Sequence, residues 1–263
     1  MSLAKYWEAS KIGLFNSFVY SFDFFTGAVF IGLVIFIFIN LWRVIYGGSD
    51  LIEGFTIGMM IWYLVLTEAI TFSPGRIAEE IGNEIQSGNI AQSLNKPYNY
   101  LLFRYASNIG RTMLRFTLTF VISAIVAVLC VGIPSWIKVS TLPFIAVSVF
   151  LALTLNFCIM AAVGITAFWL EDARSLNYIY TKFVFVLGGM LVPLEIFPSW
   201  LETISRSLPF SYVAYYPAKL WVKFSWSDVI SVYIMQLLWI GIFIILAAIL
   251  YHISIKKISI NGG

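Results

Sequence analysis

Residues 24–42 read FFTGAVFIGLVIFIFINLW, nineteen residues without a charge. As a helix, such a run is long enough to cross about 30 Å of hydrocarbon. In that medium no water satisfies the backbone N–H and C=O groups, so the segment must be a helix or part of a closed barrel. A barrel strand would alternate apolar with polar residues, and this run does not. Five further runs extend the pattern: Phe55–Phe72, Phe116–Val131, Phe144–Leu170, Leu176–Val192 and Val229–Tyr251. The third is the membrane part of a longer helix beginning near Tyr98, and the fifth is short and weak. Hydrophobic residues make up 60% of the chain and charged ones 11%. A water-soluble core of this length could not hide that much apolar surface. The expected fold class is an all-α membrane protein, one domain over residues 1–263 with six transmembrane helices.

Lys and Arg set the orientation. With both ends of the chain on one side, that side holds Lys5, Lys11, Arg76, Lys96, Arg104, Arg111, Arg115, Arg174, Lys182, Lys256 and Lys257. The other holds Arg43, Lys138, Arg206, Lys219 and Lys223. Eleven against five places both termini in the cytoplasm. Three pieces do not span. Residues 4–22 mix aromatic and aliphatic positions with Lys5, Glu8 and Lys11, which suits an interfacial helix. Residues 73–97 form a polar cytoplasmic insert, and residues 194–226 an external segment rich in Pro and aromatics. The first residues do not read as a signal peptide, because they lack a compact apolar stretch before a cleavage site.

Residues for chemistry are scarce. There is no G-x-x-x-x-G-K-[ST] loop to cradle ATP. The single histidine, His252, excludes a His-based metal site and suits an interfacial side chain. Cys130 and Cys158 lie in apolar runs with no zinc-type spacing, and a disulfide between them is not required. A net charge of +3 gives no argument for nucleic acid. The chain is expected to be no enzyme, with no catalytic residue, metal or cofactor of its own. One acid, Glu68, lies about one turn from the cytoplasmic end of its span. Either it reaches the interface or a neighbouring helix, or it is a functional intramembrane acid.

The insert reads SPGRIAEEIGNEIQSGNIAQSLNKPYNY. Ser73-Pro74 suits a helix start. Ile77, Ile81 and Ile85 recur every four residues, with Glu79, Glu80 and Glu84 elsewhere on the helix. Gly88 stops it. Asn89 can cap a second short helix carrying Ile90, Ala91 and Leu94, and Pro97 precedes the long third helix. The small apolar faces either lie on lipid or bundle, or dock a soluble partner. Arg104, Arg111 and Arg115 form one stripe at the base of the entering helix. They can bind anionic lipid headgroups or meet the acidic insert of the same chain, and headgroup anchoring is the first expectation.

At this point the chain resembles the type-2 ABC transporter permeases, in the subgroup of compact six-helix permeases of about 260 residues. Three stretches carry the resemblance in order: YSFDFFTG at the end of the interfacial helix, the insert EIQSGNIAQSLNKPYNYLLF, and GGMLVPLEIFPSWLETISRSLPFSYVAYYPAKL. The last is the most specific, with its small-residue pair, two prolines around an aromatic, a short amphipathic helix and a second Pro-aromatic turn. Glu195 departs from the pattern, being an acid where a neutral residue is expected.

The resemblance implies a permease that pairs with a second permease, identical or a sister chain, and docks on cytoplasmic ABC ATPase subunits that hold ATP and Mg. It implies a prokaryotic inner or plasma membrane, with lipids as the other contact. The insert becomes the coupling helix, with Glu84, Ile85, Gly88, Asn89, Ile90, Leu94 and Pro97 as the docking residues. Ile85, Ile90 and Leu94 would be the apolar contacts. Gly188, Gly189 and Pro193 either interrupt the fifth span at the translocation route or form a close-packed helix interface. The resemblance makes Ser199–Leu208 a re-entrant gate, with Trp200, Leu201 and Ile204 on its apolar face. Apolar lining there suits export of a hydrophobic or amphipathic substrate; the alternatives are a non-transporting structural or assembly subunit and a secondary carrier, and the scarcity of mid-membrane charge argues against the carrier.

Overall fold

The computed structural model describes residues 4–19, 21–94, 96–170 and 173–261. Twelve α-helices follow one another among these residues: α1 Ala4–Val19, α2 Ser21–Tyr46, α3 Ile57–Phe72, α4 Ile77–Gln86, α5 Ile90–Leu94, α6 Tyr100–Val131, α7 Leu142–Ile165, α8 Ala173–Val186, α9 Ser199–Ser207, α10 Pro209–Val213, α11 Tyr215–Val222 and α12 Trp226–Asn261. Five helical stretches are long and apolar enough to cross a membrane: Phe25–Tyr46, Ile57–Gln86, Tyr100–Val131, Val139–Phe168 and Trp226–Ser254. The chain is a multi-pass membrane protein. Below, the near side is the end carrying α1, α4 and α5; the far side carries α9 to α11.

The sixth expected crossing takes another form. α8 has 14 residues, about 21 Å of helix, which falls short of the hydrocarbon thickness. The chain turns after Val186 and returns through α9, α10 and α11. Glycine makes the turn. Gly189 has φ +65°, a left-handed conformation that a Cβ disfavours. The Gly188 carbonyl accepts the Tyr215 N–H at 3.1 Å, tying the end of α8 to α11.

α3 sits at the centre, packed on α2, α6, α7 and α11. Every residue from Met60 to Ile70 is buried, as expected of a helix apolar on all sides. Thr56 caps its start by accepting the Met59 N–H at 3.2 Å. α6 begins the same way, with the Asn99 side chain accepting the Leu102 N–H at 2.9 Å. α12 packs along α7. There the buried Gln236 amide donates to the carbonyls of Ser148 at 3.1 Å and Tyr212 at 3.0 Å, linking α12, α7 and α10. The outer faces of α2 and α12 expose apolar side chains such as Phe30, Leu33, Ile234 and Leu237, the surface that lipid covers. Cys130 and Cys158 are both free.

α1 is more than a helix resting on a leaflet. It runs against the base of α6, where Gly13 meets Ser107 and Gly110 meets Ser10. The Lys5 ammonium donates to the Pro97 carbonyl at 2.6 Å. Glycines allow this approach because a Cβ on Gly110 would stand 2.6 Å from the Ser10 carbonyl oxygen.

Candidate functional site

The insert folds as two short helices, but starts later than its Ser-Pro pair suggests. The Ser73 hydroxyl donates to the Ala69 carbonyl, closing α3, so it does not cap α4. α4 opens at Ile77 and ends where Gly88 takes φ +73°. α5 follows directly.

Three elements hold α4. On α7, Gly164 lets it approach until a Cβ there would lie 2.9 Å from the Ile81 Cβ. On α8, Ala173 faces Gly82. On α6, the stripe of arginines turns toward the insert. Arg111 grips Glu80 with two hydrogen bonds, 3.1 and 3.2 Å. Arg104 pairs with Glu84 and lies 3.8 Å from Glu80. The Tyr100 hydroxyl adds a 2.6 Å hydrogen bond to Glu84. The Arg115 guanidinium approaches Gly75, just before α4. The headgroup expectation thus gives way to the alternative for Arg104 and Arg111: their charges are met by the acidic insert of the same chain.

This packing consumes side chains expected to face a partner. Glu84 is engaged by Arg104 and Tyr100. Ile85 packs on the bundle core, and Ile90 is only 2% exposed. The apolar contacts assigned to a foreign protein at Ile85 and Ile90 are made within the chain. The Leu94 side chain lies outside the described residues. What remains exposed is a polar tip: Gln86, Ser87, Gly88, Asn89, Ala91 and Gln92, with Lys96 and Pro97 beyond it.

The far side is built on Glu195. Its carboxylate accepts the Tyr215 hydroxyl at 2.6 Å and lies 3.1 Å from the Lys219 ammonium and 3.6 Å from Arg206. Arg206 also holds Glu202 at 2.7 Å. The acid that departs from the expected neutral residue is therefore the hub joining the turn after Pro193 to α9 and α11. Burial pushes the Glu195 carboxyl up, but the Tyr215 hydroxyl and Lys219 push it down further, leaving it below its ordinary value.

The path candidates separate. Gly188 and Gly189 are buried at the junction of α8 with α10 and α11. The Tyr63 hydroxyl donates to the Gly189 carbonyl, and Thr67 donates to that of Met190 at 2.8 Å. That is the close-packed reading of the pair. Pro193 is buried beside them. On α9 the faces run opposite to a gate turned inward. Trp200 is 64% and Ile204 47% exposed, while Ser205 is buried. Leu201 is half-buried.

Two ionisable residues stand out, Glu68 within the span of α3 and Lys182 on the shorter α8. Glu68 is 1% exposed, and neither carboxylate oxygen has a hydrogen-bond partner among the described residues. It reaches no exposed surface and pairs with no polar side chain among the described residues. Lys182, counted above with the cytoplasmic cations, lies nine residues beyond Ala173 on α8, about 13 Å along the helix. The signal was present in the sequence, since Lys182 falls inside the run Leu176–Val192.

A family model described as ABC-2 family transporter protein matches residues 30–262. Among curated proteins, none matches the chain.

Proposed function

The chain belongs to the ABC-2 family of transporter proteins, and on that footing we propose that it is the transmembrane permease subunit of an ATP-driven exporter. A membrane component of this family works with an ABC ATPase. ATP, Mg and hydrolysis belong to that partner, and this chain binds no cofactor of its own. The near side is cytoplasmic, in line with its excess of Lys and Arg. The host membrane is the inner or plasma membrane of a prokaryotic cell. Six helical passages are too few to enclose a sizeable route against lipid, so a second permease, identical or a sister chain, completes it. The cargo is hydrophobic or amphipathic.

One observation carries the reading: the insert is fixed on three sides and exposed at its tip. A lever must be tied to what it moves, and α4 is packed on α7 and α8 and held to α6 by the Arg104–Glu84 and Arg111–Glu80 ion pairs. Closure of the ATPase on the tip would then tilt those helices as a unit. Directionality comes from different substrate affinities in the inward and outward states. In this reading the ATPase grips the tip from Gln86 to Gln92, with Gly88 and Asn89 at its apex, while Glu84, Ile85 and Ile90 transmit the force.

The test is co-purification of the chain with its ATPase. Asn89→Trp should abolish association while leaving the melting of the isolated chain unchanged. Retained association, or an equal loss from Trp at the exposed Leu237 of α12, would refute the docking assignment.

A further inference from the structure

Most of the outer surface is uniformly apolar, and α8 breaks the rule. Ala173, Tyr180 and Val184 turn inward. The opposite face exposes Arg174, Tyr178, Ile179, Lys182 and Phe183. Residues 174, 178 and 182 recur every four positions and so form one stripe along the helix. Tyr178 is 63% exposed. The Lys182 ammonium sits 4.8 Å from the Tyr178 ring centre and 5.4 Å from that of Phe185. These rings stabilise a cation without neutralising it. Among the described residues no carboxylate lies within ion-pair distance of it.

Lys182 lies about 13 Å along α8, and a lysine left unneutralised at such depth is costly against lipid; such residues characteristically line aqueous routes or substrate sites. No comparable cation marks the exposed faces of α2 between Phe25 and Leu41 or of α12 between Ile230 and Tyr251. We propose that the exposed face of α8 lines the translocation path and that Lys182 holds the anionic group of an amphipathic substrate. Ile179 and Phe183, beside the stripe, receive its apolar part. The inference rests on the permease reading and narrows its cargo to amphipaths with a carboxylate, sulfonate or phosphate. It also moves the path from Gly188 and Gly189, which are packed shut beyond the end of α8, to the exposed face of α8 itself.

The full chain, with Cys130→Ser and Cys158→Ser, is placed in phosphatidylcholine nanodiscs. Tyr178→Cys should react with a water-soluble, negatively charged thiosulfonate about tenfold faster than with a positively charged one. Lys182→Met in the same chain should erase that preference and Lys182→Arg should keep it. Leu237→Cys on α12 should react only with a lipid-soluble maleimide. In parallel, dansylaminoundecanoic acid should bind the wild-type chain about tenfold tighter than its methyl ester, with Lys182→Met levelling the two. If Tyr178→Cys reacts only with the maleimide, the face lies on lipid, Lys182 snorkels to near-side headgroups, and the proposal falls. It falls equally if Lys182→Met leaves the acid preferred. None of these readouts needs the ATPase, so a failed co-purification would sink the docking assignment without touching them.

Discussion

Gly164 is where α7 admits the coupling insert, and an added methyl group there would show how firmly the insert is fixed. A Cβ at this position would stand 2.9 Å from the Ile81 Cβ, 3.0 Å from the Ala78 carbonyl oxygen and 3.1 Å from the Ala78 Cα. Non-bonded carbons rest near 3.5–4.0 Å, so Gly164→Ala requires α4 to retreat by roughly 0.6 Å. Two of the three obstructing atoms are backbone, so no rotamer change relieves them. Retreat is resisted on the other sides, where Arg111 holds Glu80 and where Ala173 faces Gly82. Overpacking of this kind costs about 1–3 kcal/mol, offset by up to ~1 kcal/mol because Ala is the better helix former. The net loss is about 1–2 kcal/mol, or roughly 2–8 °C in melting temperature for a chain of this size. Gly241→Ala is the control: nothing lies within 4 Å of its added methyl group, so it gains propensity without a clash. Both variants are melted in one detergent, and transport per ATP hydrolysed is measured with the ATPase. Gly164→Ala should melt lower, keep ATPase association because the tip is untouched, and move less substrate per ATP. If Gly164→Ala melts with Gly241→Ala, the contact between α4 and α7 is not tight and the lever argument fails.

The two other perturbations concern charge. A double-mutant cycle of Glu80→Gln and Arg111→Gln should return a coupling of about 1 kcal/mol, reduced by high salt because both side chains are a quarter to a third exposed; zero coupling at low salt would mean the pair does not fix the insert. Glu195 has its carboxyl held below the ordinary 4.5, so its contribution is fully present above that value and is lost as pH falls through the depressed one. Melting of wild-type and Glu195→Gln chains should therefore differ at pH 7 and converge only as pH falls through the depressed value, whereas a difference independent of pH would show that the carboxylate's charge is not what joins the turn to α9 and α11.

What the sequence revealed, and what it withheld, divides along one line. Spans apolar on all sides, such as α3, are legible because composition alone dictates burial or lipid. The stop at Gly88 is legible because few residues tolerate its φ. The faces of the short helices were not. The four-residue spacing of Ile77, Ile81 and Ile85 says that α4 has an apolar side, but not whether the cover is foreign protein or α7. Ser73-Pro74 carries a capping signature, yet its hydroxyl is drawn to the last turn of α3. In water an apolar face turns inward by default; beside lipid the default lapses, because the outside is apolar too. On α9 the decision passes to the polar side chains, which have no partner in hydrocarbon: Arg206, paired with Glu202 on its own helix, finds Glu195 on the neighbouring turn, so Trp200 and Ile204 turn out. The same rule applied to α8 gives the opposite result. Lys182 has no carboxylate within ion-pair distance among the described residues and stays on the outer face, where only water or an anion can satisfy it. On the proposal made above, that outward charge says more about the route of a substrate than the glycine pair that follows the same helix.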